Sequence, residues 1–163
     1  MQASPVVLSY AKSQDASSID SKLTQRYFIM TENELAKQVI DLCIKIHKTL
    51  GPGLLESAYE DCLAYELNKK NLSFKRQESI PLVYDGVELG EGFRADIIIE
   101  DKLIIELKSV AELQPVNFSQ LLTYLRLTNL KLGLLINFGQ RRMVDGIHRV
   151  VNGLSQEEKP SVW

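Results

Sequence analysis

Residues 94–109, RADIIIEDKLIIELKS, constrain the fold more than any other part of this sequence. Two apolar runs flank a short charged segment at 100–102, a pattern that predicts two β-strands joined by a tight turn. Charged side chains nevertheless lie inside both runs, Asp96 in the first and Glu106 and Lys108 in the second. Because an unpaired charge costs several kcal/mol to bury, these residues must be paired, solvated or bound to a ligand.

Strand geometry brings the three charges together. Side chains alternate across a strand, so Glu106 and Lys108 share one face and lie roughly 6–7 Å apart along it. If the turn is a tight hairpin, Asp96 lies four residues before Glu100 and Glu106 lies four residues after Lys102. The two carboxylates are then near cross-strand neighbours, and they repel each other unless a positive group lies between them.

Two interpretations of this cluster stay open at the level of residues. In the first, it is a surface patch in which Lys108 neutralises Glu106 while Asp96 pairs with Arg94 or with solvent. In the second, Asp96 and Glu106 hold a hard divalent cation, and a carbonyl oxygen from between them completes the site. Such a cation activates water and stabilises charge on a phosphoryl oxygen. Lys108 would then orient or deprotonate the water, or stabilise the charge of the transition state.

Composition is that of one ordinary globular domain, with 163 residues of which 45% are hydrophobic and 25% charged. Residues 1–29 have no sustained apolar period and are rich in Ser, Gln, Asp and Lys, which predicts a disordered tail. The TENE sequence at 31–34 fits a helix capping box. We therefore expect a folded domain over 30–155 and a C-terminal tail over 156–163, with Met30 as a candidate natural start.

Hydrophobic periodicity predicts the element order α-α-β-β-β-α-β-β. Gly51-Pro52-Gly53 is expected to end the first helix, and Pro115 to open the third. Helices are expected at about 35–50, 54–70 and 115–128, and strands near 80–84, 93–100, 103–110, 130–139 and 147–151. A short strand pairing is expected to bracket the turn at Asp145-Gly146. This order implies a mixed sheet with helices packed on it.

Charge and cysteine content restrict the class of protein. A net charge of −2 and a pI of about 5.7 provide no overall basic field for coating nucleic acid, although they say little about an enzyme with one local site. Cys43 and Cys62 lack metal-ligand spacing and are expected to be small buried residues in a reducing compartment. No apolar run reaches the roughly 18 residues of a membrane span, and there is no secretory signal pattern. We expect a cytoplasmic protein with no membrane partner.

The arrangement of Asp96, Glu106 and Lys108 on neighbouring apolar strands resembles the signature of the PD-(D/E)xK phosphodiesterase superfamily. The resemblance implies that Asp96 and Glu106 are metal ligands, that Leu107 contributes its backbone carbonyl, and that Lys108 is the catalytic lysine. Ala95 takes the place of the proline that gives the superfamily its name. This departure touches no ligand, but it makes the motif less specific.

The resemblance extends over about 31–152 and includes GLLESAY at 53–59, which is similar to the signature of the bacterial GxxExxY family. It also includes HKTLGPG at 47–53 and LGLLINFG at 132–139. It implies an α/β single domain in which a mixed β-sheet is flanked by helices, with a restriction-endonuclease-like core.

Three further residues join the candidate site through this resemblance. Glu56, expected one turn into the second helix, matches a helix glutamate that related nucleases place beside the metal. The alternative is that Glu56 only favours the positive end of the helix dipole. Gln120 and Tyr124 match the Q-x-x-x-Y motif of RecB-like nucleases, which lines the site and contacts the nucleic-acid backbone. They share one helix face, and the alternative for Gln120 is a solvated polar surface.

Together these residues predict a nuclease that hydrolyses phosphodiester bonds with Mg²⁺ or Mn²⁺. The candidate catalytic residues are Asp96, Glu106, Lys108, Gln120 and Tyr124, and the candidate metal ligands are Glu56, Asp96, Glu106 and Leu107. The partner is nucleic acid, either DNA or RNA, and the small size of the domain favours a homodimer or a larger assembly. The alternative is a non-catalytic module of the same fold that binds nucleic acid or protein.

Overall fold

The computed structural model of the chain describes residues 30–154. The tails predicted at 1–29 and 156–163 lie outside the described residues. Within the described part, the helices are α1 (Glu32–Leu50), α2 (Glu56–Lys70) and α3 (Pro115–Thr128). The strands are β1 (Phe74–Tyr84), β2 (Val87–Ile99), β3 (Leu103–Lys108), β4 (Leu132–Asn137) and β5 (Ile147–Val151), and a 3₁₀ helix at Met143–Gly146 precedes β5.

The strands form one mixed sheet in the order β1-β2-β3-β4-β5. Strands β1, β2 and β3 pair antiparallel, β3 pairs parallel with β4, and β4 pairs antiparallel with β5. The parallel pair requires a crossover connection, and α3 supplies it. The predicted α/β architecture, with a mixed sheet flanked by helices, is confirmed.

The centre of the sheet is apolar throughout. All of β4 and all of β3 except Lys108 are buried, as expected for strands that are covered on both faces. One core cluster joins β2, β3 and β4 to α3 through Ile98, Ile104, Leu135, Leu121 and Leu125. The position of β3 in the centre of this sheet determines where its charged end lies.

The α1–α2 connection packs against the end of β4. Tyr59 of α2 stacks on Phe138 with 4.1 Å between ring centroids, and its hydroxyl donates to the Gly51 carbonyl at 2.6 Å. Tyr59 is therefore a packing residue that joins α2 to the end of β4. Gly51 itself has a φ of 72°, a left-handed conformation that favours glycine and ends α1.

Asn137 holds together the chain that follows β3 and β4. This fully buried side chain accepts hydrogen bonds from the Val110 and Gly139 amides, both at 3.0 Å, and donates to the Val110 carbonyl at 2.9 Å. A side chain at position 139 would overlap the Val110 carbonyl oxygen, so a glycine is required there. The loop after Lys108 is thereby fixed beside the candidate site.

Several local expectations are corrected. Helix α2 begins at Glu56 and not at 54, so Leu55 is its N-cap, with 76% of its surface exposed. The antiparallel pairing that brackets Asp145-Gly146 forms between β4 and β5, but these two residues belong to the 3₁₀ helix at Met143–Gly146 and not to a tight turn. Within residues 30–154, no helix is long and apolar enough to span a membrane.

Candidate active site

The hairpin of β2 and β3 places the two central carboxylates. A turn at 100–102 joins the strands, with the Lys102 amide donating to the Ile99 carbonyl at 3.0 Å. The register pairs Ile99 with Leu103 and Ile97 with Ile105, so its continuation sets Asp96 opposite Glu106. This is the neighbour relation that the turn length predicted.

Beyond Ile97 and Ile105, the last residues that pair in the hairpin, the Asp96 side chain forms one further hydrogen bond between the two strands. Its Oδ2 accepts a hydrogen bond from the Leu107 amide at 2.8 Å. In an extended strand the N–H and C=O of one residue point to the same side, so the Leu107 carbonyl also faces β2. The Lys108 carbonyl points the other way, because it accepts from the Phe138 amide at 2.7 Å next to β4. The Leu107 carbonyl oxygen is therefore on the side of β3 that faces β2, the strand that carries Asp96.

Glu106 is buried, with only 3% of its surface exposed. Its Oε1 accepts a hydrogen bond from Lys108 Nζ at 2.7 Å, whereas its buried Oε2 has no hydrogen-bond partner. Arg94 pairs with Glu91 at 2.9 Å and not with Asp96. The Lys108–Glu106 pair of the surface-patch interpretation is present, and Asp96 is partly exposed. Glu106 is nevertheless buried rather than at the surface, and this burial is what favours the cation-binding interpretation.

Burial and mutual repulsion shift the ionisation of this cluster. Burial, followed by the negative charge of Asp96, raises the pKa of Glu106 to about 7, and Lys108 only partly opposes this. Burial is also the largest cause that raises the pKa of Asp96 above its usual value. Burial would lower the pKa of Lys108, but the hydrogen bond and charge of Glu106, with the charges of Asp96 and Glu56, outweigh it and raise that pKa.

Glu56 reaches this cluster from α2. It is the first residue of the helix, one turn earlier than expected, and its Oε1 accepts from the Ser109 amide at 3.0 Å. The Ser109 hydroxyl donates to the Leu54 carbonyl at 2.6 Å. These two bonds join the start of α2 to the end of β3. The negative charge of Glu56 therefore acts on both Glu106 and Lys108.

Gln120 and Tyr124 approach from α3. The Gln120 amide donates to the Tyr124 hydroxyl, and Gln120 is half-buried rather than on a solvated surface. Tyr124 is buried and stacks on Phe93 of β2, with 3.8 Å between ring centroids. Burial is the main cause that raises the pKa of Tyr124, and the charge of Glu106 contributes to the same shift. The α3 residues therefore border the carboxylate cluster.

A family model described as the PD-(D/E)XK nuclease superfamily matches residues 33–150. The chain belongs to this superfamily. The matched range contains α2, the β2–β3 hairpin and α3, which carry all the site residues that the sequence predicted. Comparisons with curated proteins and with solved structures gave no significant match.

A PD-(D/E)XK nuclease generally uses a divalent metal, and the residues present fit that requirement in their chemistry. Hard cations such as Mg²⁺ prefer oxygen ligands, and Asp96, Glu106 and the Leu107 carbonyl supply only oxygen. The buried Oε2 of Glu106 lacks a partner, so a cation there would satisfy it. In the part of the chain that the structure describes, no three His, Cys, Asp or Glu side chains already form a metal-binding group. Lys108 and the Leu107 amide partner the two carboxylates instead.

Two polar residues near Asp96, Glu60 and Gln77, were not among the site residues that the sequence predicted. Glu60 of α2, with 6% of its surface exposed, accepts from Arg76 Nε and from Gln77 Nε2, both at 2.7 Å. The same Gln77 nitrogen lies 3.4 Å from Asp96 Oδ1. Glu60 follows Glu56 by four residues, a spacing that places both on one helix face, and this spacing was the one signal available in the sequence.

Proposed function

We propose that this chain hydrolyses phosphodiester bonds of nucleic acid with Mg²⁺ or Mn²⁺. The observation that carries the proposal is the buried Glu106 carboxylate, which faces Asp96 and leaves Oε2 without a hydrogen-bond partner. Two facing carboxylates on β2 and β3 do not stabilise the fold, because their repulsion disfavours the folded state. A cation-binding role accounts for both of them.

The ligands of the ion would be the carboxylates of Asp96 and Glu106 and the carbonyl of Leu107, with Glu56 as a further oxygen donor. When bound, the ion would lower the pKa of a water molecule and stabilise negative charge on the phosphoryl group. Glu56 now accepts from the Ser109 amide. It can therefore act directly as a ligand or hold the end of β3 in place.

Lys108 is the candidate catalytic lysine. Because its neighbours raise its pKa, it carries a proton at neutral pH. A protonated lysine donates hydrogen bonds, so it would orient the attacking water or stabilise a phosphoryl oxygen rather than remove a proton. The other open role, that of a base, would require a lowered pKa.

Gln120 and Tyr124 would position the strand to be cut. The Gln120 amide has two N–H groups, of which one is needed for the Tyr124 hydroxyl. The second is available for a phosphate oxygen or a water molecule. Stacking on Phe93 holds the Tyr124 ring in place. Gln120 and Tyr124 would therefore line the α3 side of the site.

The experiment is a cleavage assay on single-stranded DNA, double-stranded DNA and RNA, with Mg²⁺, with Mn²⁺ and with EDTA. We expect cleavage that depends on the divalent ion and that Asp96→Ala and Lys108→Ala each reduce at least about 100-fold, the range for loss of a transition-state contact. Asp41→Ala and Lys37→Ala, on the exposed face of α1, are matched controls and should cleave normally.

The alternative is a non-catalytic module of the same fold. It predicts binding of nucleic acid or protein without cleavage, and no change in Mn²⁺ binding when Asp96 and Glu106 are replaced together. Calorimetric titration with Mn²⁺ separates the two functions, since the nuclease requires both carboxylates. Membership of the GxxExxY branch and a homodimeric state remain predictions, and sedimentation of the full chain tests the second.

A further inference from the structure

Gln77 has an unusual backbone conformation for its place in the fold. Its φ is 50°, in the left-handed region that non-glycine residues seldom adopt. Among the described residues, the other non-glycine positions with positive φ follow helices or lie in turns: Asn71, Asn129, Asp85, Glu100 and Asp101. Gln77 instead lies inside β1. Such a conformation persists only where the surroundings impose it.

The hydrogen bonds of the Gln77 side chain account for this backbone conformation. Glu60 accepts from Nε2 at 2.7 Å, and Glu60 is itself held by Arg76 Nε at 2.7 Å. Arg76 also pairs with Asp61 at 2.6 Å. Gln77 is exposed, but this hydrogen bond to the buried Glu60 carboxylate holds its amide against α2.

The Gln77 side-chain amide lies close to Asp96, a candidate metal ligand. The β1–β2 register pairs Arg76 with Ile97 and Glu78 with Ala95, so Gln77 lies opposite Asp96. Nε2 of Gln77 is 3.4 Å from Asp96 Oδ1. The other oxygen, Oδ2, accepts from the Leu107 amide, so both oxygens of Asp96 are oriented, one from each neighbouring strand.

We propose that Gln77 is a positioning residue, which bridges the anchored Glu60 to Asp96 and holds that carboxylate in the orientation required to bind a divalent cation. The proposal rests on the proposed function of the Asp96–Glu106 site.

The chemistry of an amide suits this place better than that of other polar side chains. A glutamine NH₂ has two donors and no charge, so it can satisfy Glu60 and Asp96 together. A lysine or arginine would neutralise Asp96 and compete with a cation for it. A carboxylate would offer no donor and would add a third negative charge.

The main test is Gln77→Gly in the full chain, with Mn²⁺ affinity measured by calorimetry and stability by thermal denaturation. Glycine adopts a positive φ without strain, which offsets the loss of the hydrogen bond to the buried Glu60 carboxylate, so the melting temperature should stay close to that of the wild type. Loss of a residue that orients a ligand typically weakens metal binding 10–100-fold, and we expect a loss of at least about tenfold. A purely structural role predicts instead that affinity and stability change together.

Matched variants sharpen the result. Ser79→Gly, at an exposed position two residues further along β1, should leave Mn²⁺ affinity unchanged. Gln77→Asn keeps an amide but shortens the side chain, so it should bind Mn²⁺ with an affinity between those of the wild type and Gln77→Gly.

The outcomes are distinguishable. Mn²⁺ binding by Gln77→Gly equal to that of the wild type overturns the inference and leaves the proposed function intact. Absence of Mn²⁺ binding in the wild type overturns both. A tenfold loss in Gln77→Gly, with Ser79→Gly unchanged and the melting temperature preserved, supports the positioning role.

Discussion

Two ion pairs contain or lie near the candidate ligands, and they differ chiefly in their exposure to solvent. Arg94 and Glu91 pair at 2.9 Å with side chains that are 54% and 45% exposed. Lys108 and Glu106 pair at 2.7 Å with side chains that are 18% and 4% exposed. The first pair is spaced i,i+3 in the part of β2 that pairs only with β1, whereas the second lies at the C-terminal end of β3, where Glu106 is buried.

Exposure determines what each pair can do. Water screens the charges of Arg94 and Glu91, and such surface pairs contribute little to stability. Around Glu106 little water is available, so the carboxylate depends on Lys108, and its Oε2 has no hydrogen-bond partner. A charge that is buried but incompletely satisfied points to a ligand, whereas an exposed pair of the same length does not.

The largest effect on stability should come from removing the lysine. Lys108→Met leaves Glu106 buried without a counter-charge, and losing one partner of a buried pair typically costs 3–5 kcal/mol. Because Lys108 retains some exposure, we expect a loss of roughly 2–3 kcal/mol in the free energy of unfolding at pH 8, without divalent ions. Urea denaturation measures it. At pH 5, where Glu106 holds a proton, the loss should be smaller, and an equal loss at both pH values would contradict the charge-based explanation.

A divalent ion should stabilise the wild type by a similar amount. A ligand that binds only the native state adds about 2.7 kcal/mol at a concentration 100 times its Kd. Mn²⁺ should therefore raise the melting temperature of the wild type but leave that of Asp96→Asn almost unchanged. Asp41→Asn, at an exposed site on α1, is the matched control and should respond like the wild type. An equal rise in Asp96→Asn would place the ion elsewhere.

The pH dependence of stability should report Glu106. Burial and the charge of Asp96 raise its pKa from 4.5 to about 7 in the native state. Between these values the native state binds a proton that the unfolded chain has lost, so the free energy of unfolding falls as pH rises. In EDTA, the contribution should be fully present below about pH 4.5 and be lost by about pH 8. Glu106→Gln should show a shallower slope over this range, and an unchanged slope would assign the effect to another group.

The central part of the site was predictable from the sequence because short-range rules determine it. The turn at 100–102 and strict side-chain alternation together fix Asp96 opposite Glu106 and Lys108 beside it. Glu106 also restricts the register of β3, because a one-residue slip would turn this carboxylate to the other face of the strand. Helix α3 was predictable over Pro115–Thr128 for a similar reason, since Pro115 marks its first turn.

The hydrogen bonds that hold the site residues in place could not be predicted in the same way, because they join segments that are distant in sequence. Gln77 meets Glu60 and Asp96 only after β1 has paired with β2 and α2 has packed beside them. Nothing local marks Gln77 as left-handed, since no glycine or turn sequence surrounds it. Ser109 likewise meets Glu56 across 53 positions of sequence.

The smallest effect should come from the exposed pair. Arg94→Met removes the partner of Glu91, and because both side chains are about half exposed, we expect a change within about 0.5 kcal/mol in the free energy of unfolding. Adding 1 M NaCl should abolish even that difference, since the Debye length falls to about 3 Å. The Lys108→Met loss should largely survive the same salt, because only 4% of the Glu106 side chain is exposed and buried charges are screened much less than exposed ones. If the two variants lost equal stability, or if salt removed both losses, burial would not be what separates the two pairs.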